Sequence, residues 1–174
     1  TSDFQGKESS IATVLEARLA EVLEEKSLLK HPFYRAWTQG TLPAERLQEY
    51  ARQYFHFEAA FPRFLSALHS RVEDPGVRQL ILENLWDEEY GERNHRALWL
   101  EFAEALGVPR AEVEASAANA ETAALVAHFD TMCREGAPGD ALATLYAYEG
   151  QVPAVARQKI AGLQAFYGLK PEAF

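Results

Sequence analysis

A chain of 174 residues with 17 Lys and Arg against 26 Asp and Glu carries a formal charge of -9 with its five His neutral. A hydrophobic fraction of 48% with three Trp, seven Tyr and ten Phe supports one substantial core, which excludes a disordered or low-complexity chain. The acidic balance, opposed by no Lys/Arg cluster, leaves no electrostatic footprint for DNA or RNA. One cysteine, Cys133, cannot form an internal disulfide, and the sequence holds neither an apolar leader nor a run near the ~18 apolar residues of a membrane span. The expectation is a cytoplasmic protein with no membrane or nucleic-acid partner.

Apolar residues recur in steps of three and four almost end to end and no segment alternates with period two, which predicts an all-α architecture and a single domain over residues 1–174. A first helix, capped by Ser9 or Ser10, is expected to reach about Leu29 with Ile11, Val14, Leu15, Leu19, Val22 and Leu23 inward. A short helix opens at His31-Pro32 and stops at Gly40. A third starts near Pro43, with Leu47, Tyr50, Tyr54, Phe57, Phe61, Phe64, Leu65 and Leu68 inward and Pro62 as a candidate kink. A fourth is expected from Asp74-Pro75 to Leu106-Gly107, and residues 108–118 read as a short helix or turn. A fifth spans about 119–135 and a sixth about 139–167, separated by Gly136-Ala137-Pro138-Gly139. Lys170-Pro171-Glu172 reads as the opening of a further helix.

Polar residues interrupt two of the apolar stripes. On the fourth helix the stripe Val77, Ile81, Leu85 continues onto Glu88, then Glu92 or Gly91, then His95 before Trp99. At about 100° per residue, Glu88 and His95 differ by only about 20° around one continuous axis. Glu92-Arg93-Asn94-His95 is also the Glu-x-x-His spacing by which di-iron bundles place a carboxylate and an imidazole on one face. The sixth helix carries Glu149 in otherwise apolar company. A buried carboxylate needs a neutralising partner, and a metal ion supplies charge and coordination together. Oxygen and imidazole donors without thiolate favour iron or manganese. Spacing alone leaves open the alternative that these groups pair with Arg, Tyr or backbone.

Other polar groups read more plainly as structure. Tyr34 reads as aromatic packing, with Tyr50, Tyr54 and Tyr148 equally ambiguous. Glu58, among Tyr54, Phe57, Phe61 and Leu65, is either an auxiliary acid or the partner of Arg35 or Arg63. His31 reads as a cap, His56, His69 and His128 as surface or satisfied core histidines, and Cys133 as packing. Lys159 sits about 80° and about 15 Å from Glu149 on an ideal helix, as a solvated cation, although Gly150 and Pro153 are able to alter that phase.

The runs HPFYRAWTQGTLPAERLQEYARQYFHFEA, ENLWDEEYGERNH and YAYEGQVPAVARQKI resemble the heme-oxygenase-like helical superfamily of thiaminase II, pyrroloquinoline-quinone synthase and the dimetal oxidases. Within it they are most similar to the Chlamydia protein associating with death domains and its bacterial relatives, which make p-aminobenzoate for folate. The resemblance runs from about residue 28 to 174. It implies a heme-oxygenase-like helical bundle with a dinuclear iron or iron/manganese centre that activates O2 with an external reductant, and ligands at Glu88, His95 and Glu149. It also implies that Tyr34 is a sacrificial substrate whose ring becomes the aminobenzoate, that Lys159 supplies the amino group, and that Tyr50 and Tyr148 relay electrons or hold the ring.

Family members complete the centre with a His-x-x-x-Asp-x-x-x-His helix, a motif these residues do not contain. The expectation is therefore a missing C-terminal metal-ligand helix after residue 174 and a metal-free protein. Cys133 is not in the thiaminase II nucleophile motif, and cofactor-free quinone synthesis does not require the Glu/His pattern. Two other functions compete with the self-sacrificing oxygenase: a dimetal oxidase acting on a free amino acid or fatty acid, and a non-enzymatic interaction protein. A homodimer through exposed apolar patches is expected by analogy.

Overall fold

The 26 residues Ala44–His69 form one long helix, α3, against which much of the chain packs. The computed structural model describes the backbone of residues 2–169 and the side chains of residues 13–169. In chain order the helices are α1 (Ser2–Glu25), α2 (Pro32–Thr38), α3, α4 (Pro75–Glu89), α5 (His95–Ala105), α6 (Arg110–Ala115), α7 (Ala120–Glu135), α8 (Pro138–Glu149) and α9 (Val152–Phe166), with a 3-10 turn at Leu28–Lys30. No strand occurs among the described residues, so the architecture is all-α.

Local chemistry sets most of these boundaries. His31 caps α2, its Nδ1 accepting from the Phe33 N–H at 3.2 Å, and Pro32 occupies the first turn where no N–H is needed. Asp74 and Asn119 cap α4 and α7 in the same way, accepting from Val77 and Thr122. Pro62 is buried inside α3, which continues through it to His69.

Two apolar clusters lie along α3. One gathers Phe57, Phe61, Phe64, Leu65 and Leu68 with Ile81 of α4, Phe129 and Cys133 of α7, and Leu145 of α8. The other gathers Leu47, Ala51 and Phe55 with Trp37 of α2, Trp99 and Phe102 of α5, Val113 of α6 and Leu163 of α9. Tyr54 packs against both, so the middle of α3 is where the clusters meet.

The expected fourth helix is two helices. Gly91 takes a left-handed φ of +87°, which an L side chain rarely adopts, and Asn94 caps α5 by accepting from Ala97 while its amide donates to the Glu89 carbonyl. One side chain thus ties the end of α4 to the start of α5. The expected sixth helix also divides, at Gly150-Gln151. A Cβ on Gly150 would lie 2.8 Å from the Tyr146 carbonyl, and Gln151 accepts from the Leu28 N–H at 2.8 Å, pinning the break to the 3-10 turn.

The first helix is corrected too. Ser9 and Ser10 lie inside α1, and Val14, Leu15 and Val22 are exposed, leaving only Leu19 and Leu23 half-buried. Among the described residues no other helix packs extensively along α1, so most of its apolar stripe stays uncovered, with Leu23 beside Gly150. The Ile11 side chain and the expected opening at Lys170-Pro171 lie outside the described residues.

Gly162 lets α9 approach α2, because a Cβ there would lie 2.6 Å from Trp37 Cδ1 and 3.0 Å from its Nε1. We predict that Gly162→Ala destabilises the fold by about 1–3 kcal/mol despite alanine's better helix propensity. Gly139→Ala, where nothing lies within 4 Å, should be neutral or stabilising by up to about 1 kcal/mol. Urea unfolding midpoints check both, and equal midpoints for Gly162→Ala and the parent would contradict the packing argument.

Candidate active site

The break between α4 and α5 brings Glu88 and His95 together at the end of one helix and the start of the next. His95 Nδ1 lies 2.8 Å from Glu88 Oε1. Glu88 is 8% exposed, and its other oxygen, Oε2, is buried without a hydrogen-bond partner. Leaving a buried acceptor unmet costs about 1–3 kcal/mol, more if it is charged, so this oxygen calls for a positive partner. Glu58 enters from the middle of α3, and one donor atom from each of Glu58, Glu88 and His95 lies within 4.8 Å of the other two.

The charges respond to one another. Burial raises the Glu58 carboxyl to about 7, Glu88 adding to the effect while His95, Lys159 and a hydrogen bond from Tyr54 oppose it. The Glu88 hydrogen bond raises the His95 imidazole above its ordinary value against the pull of burial. Oxygen and imidazole donors around an orphaned buried oxygen fit a divalent iron- or manganese-class ion.

Glu149, the last residue of α8, stands next to this group but outside it. Both of its oxygens accept from Asn84 Nδ2, at 2.7 and 2.8 Å. Burial raises its pKa, the Asn84 hydrogen bond opposes that, and the charges of Glu88 and His95 both reach it. Glu92 does not share the inward face that a continuous helix implies. It is exposed in the connection between α4 and α5, where the helical phase that aligned it with Glu88 no longer holds.

Lys159 is 6% exposed, which overturns its reading as a solvated cation. The restart after Gly150-Gln151 resets the phase of α9 and turns this residue inward. Its Nζ donates to Tyr50 Oη at 2.6 Å and lies 5.8 Å from the Tyr34 ring centroid and 5.2 Å from that of Tyr54. Burial lowers the amine to about 7, with Glu58 pulling it back upward. The Trp37 indole N–H donates to the Lys159 carbonyl at 3.1 Å, so α2, which carries Tyr34, is tied to α9 at the lysine itself.

Burial raises the Tyr34 phenol, partly offset by hydrogen bonding with Tyr50, and pushes Tyr50 well above the usual phenol value. Tyr50 therefore holds the Lys159 amine and interacts electrostatically with the Tyr34 phenol. Tyr148 and Tyr54 are hydrogen-bonded through their hydroxyls. A cavity of about 190 Å³ joins these groups, lined by Tyr34, Glu58, His95, Tyr148 and Lys159 among apolar side chains.

The structure thus gathers Tyr34, Tyr148 and Lys159 around one pocket with Tyr50 behind them on the Lys159 amine, joins Glu88 to His95, and leaves Glu149 adjacent under the hold of Asn84. Glu58 moves from an undecided acid into the donor group, and its sequence signal was its position on the inward face of α3 with Tyr54, Phe57, Phe61 and Leu65. Asn84 carried no such signal.

The TENA/THI-4/PQQC family model matches residues 19–169, and the chain belongs to that family. A 4-aminobenzoate synthase of Chlamydia muridarum (strain MoPn / Nigg) is 43% identical over 158 residues, covering 90% of this chain and 67% of the relative. One of Nitrosomonas europaea is 45% identical over 163 residues, covering 88% and 66%. A pyrroloquinoline-quinone synthase of Granulibacter bethesdensis is less similar, at 30% over 156 residues, 88% of this chain and 61% of the relative. The chain spans about two thirds of the length of the 4-aminobenzoate synthases it matches. No helix among the described residues is long and apolar enough to cross a membrane.

The Lys159 shift carries a pH signature. Between its folded value of about 7 and its ordinary 10.5 the unfolded chain binds a proton that the folded chain does not. Its contribution to stability is therefore fully present above the ordinary value and is lost as pH falls toward about 7. We predict that Lys159→Met removes this slope and is more stable than the parent near neutral pH, read from urea midpoints measured across the window. A parallel pH dependence in both proteins would contradict a buried, neutralised amine.

Proposed function

We propose that this protein is a self-sacrificing 4-aminobenzoate synthase, an O2-dependent oxygenase whose substrate is its own Tyr34. The observation that carries the reading is that a phenol, a buried amine and a carboxylate/imidazole donor group line one cavity. The similarity to relatives named 4-aminobenzoate synthase supports the product class.

The atoms of tyrosine and 4-aminobenzoate correspond simply. The Tyr34 ring becomes the product ring, the Cα–Cβ bond breaks and Cβ is oxidised to the carboxyl carbon at the expense of O2, and the Lys159 nitrogen, released as its Cε–Nζ bond is oxidatively cleaved, takes the place of the phenol oxygen, which leaves as water. Glu88 and His95, with Glu58 beside them and Glu149 next in reach, would hold the metal. A dinuclear iron or iron/manganese centre, when bound, supplies O2 activation with electrons from an external reductant.

The protein's own groups prepare the rest. Lys159, with its amine lowered to about 7, keeps a substantial neutral, nucleophilic fraction at physiological pH and serves as the nitrogen source. Tyr50 holds the Lys159 amine at 2.6 Å and interacts electrostatically with Tyr34, orienting the two reacting groups toward each other. Glu58, at about 7, is able to hold or release a proton between the donor group and the Tyr54 hydroxyl. Tyr148, bonded to Tyr54, steadies that hydroxyl pair at the cavity wall. Apolar Leu98, Val152 and Val155 line the same cavity, Val155 buried and the other two at its solvent-facing edge.

Full-length protein labelled with ring-13C tyrosine and ε-15N lysine, supplied with iron, manganese, reductant and O2, should yield doubly labelled 4-aminobenzoate at no more than one equivalent, with a matching mass loss at Tyr34. Tyr34→Phe should give none, and Lys159→Arg should lose most of the 15N-labelled product. Normal yield from Tyr34→Phe, or repeated turnover of an added small molecule with Tyr34 intact, would overturn the self-substrate reading in favour of an oxidase acting on a free substrate.

A further inference from the structure

Asn84 lies one helical turn before Glu88 on α4 and is half-buried. Its Nδ2 donates to both Glu149 oxygens, at 2.7 and 2.8 Å, across the space between α4 and α8. The two oxygens of one carboxylate lie too close together to take the two diverging amide hydrogens separately, so one N–H is shared between them and each oxygen keeps a lone-pair site available. The donor is neutral. It fixes the carboxylate's direction without cancelling its charge, whereas an arginine or lysine in its place would satisfy Glu149 electrostatically and remove the attraction for a cation.

The contact is not needed to dock α8, because Ala141 and Leu145 already anchor that helix in the apolar cluster around α3. The charges of Glu88 and His95 both reach Glu149, so the fixed carboxylate borders the donor group rather than an unrelated surface. The unmet Glu88 Oε2 marks the same region as short of positive charge.

We propose that Asn84 is a positioning residue of the metal centre, holding the Glu149 carboxylate turned toward the Glu58, Glu88 and His95 donors so that it joins them when a divalent cation binds. The inference rests on the reading that those donors hold a metal. Outer partners of metal ligands typically contribute 10- to 100-fold to metal affinity by orienting the ligand, here the carboxylate of Glu149.

The test is anaerobic titration of the full chain with Co2+, following its ligand-field absorption, for the parent, Asn84→Leu, Glu149→Gln, the double variant and Glu88→Gln. Asn84→Leu keeps the branched shape and the number of side-chain heavy atoms and removes the donor. It should weaken binding by about 10- to 100-fold and change the band pattern, with far-UV circular dichroism unchanged. In the Glu149→Gln background the same change should add little, because Asn84 acts through Glu149. Asn84→Ala serves the same comparison if the leucine variant does not fold.

Parent-like affinity and spectrum in a folded Asn84 variant, or an equal loss in both backgrounds, would overturn the inference. Glu88→Gln separates that failure from a failure of the metal reading. Weakened binding in Glu88→Gln with no effect at Asn84 defeats only the positioning role, whereas unchanged binding in Glu88→Gln defeats both.

Discussion

A helical bundle excludes water efficiently, and here it does so around groups that ordinarily keep their charge only in water. Glu88 is buried with one oxygen bonded near His95 and the other unmet. Glu58 and Lys159, drawn toward the same pH from opposite directions, line one cavity at about 7 each. In a purely structural core such groups would be replaced by apolar residues at little cost or a gain in stability. Their presence follows if the missing positive charge is supplied by a bound cation and the amine must be available without its proton.

Two interruptions of the helices make the arrangement possible. Gly91 and Asn94 end α4 and begin α5 so that Glu88 and His95 meet at a corner, while Gly150 and Gln151 restart the chain so that α9 turns Lys159 inward. The Trp37–Lys159 hydrogen bond and the close approach at Gly162 then place α2 and Tyr34 against that lysine. Positioning comes from helix ends and packed indoles more than from the length of any one helix.

This explains what was legible in the sequence. The periodicity, the cap at His31 and the Asp74-Pro75 opening gave the helical class and several boundaries, since those signals are local, and the structure adds the caps at Asp74 and Asn119. Helical spacing puts Glu88 and His95 on one side, and they do lie together, but one continuous axis also draws in Glu92, which the corner leaves in solvent. Lys159 was misplaced by residue phase for the same reason, and only the family resemblance pointed to it. The α1 stripe looked inward because amphipathicity records a preference for burial without saying what covers it. Asn84 was invisible because its partner lies 65 residues away on another helix.

Membership of the TENA/THI-4/PQQC family sets the scaffold, while function depends on which groups line its cavity. The central claim is that the Glu88/His95 corner holds a divalent cation. Anomalous diffraction at the iron edge from anaerobically iron-loaded crystals of the full-length protein tests it most directly. The account predicts a peak within bonding distance of Glu88 and His95, on the side of the unmet Oε2. A map with no peak there, or with iron bound only to exposed surface carboxylates, would contradict it.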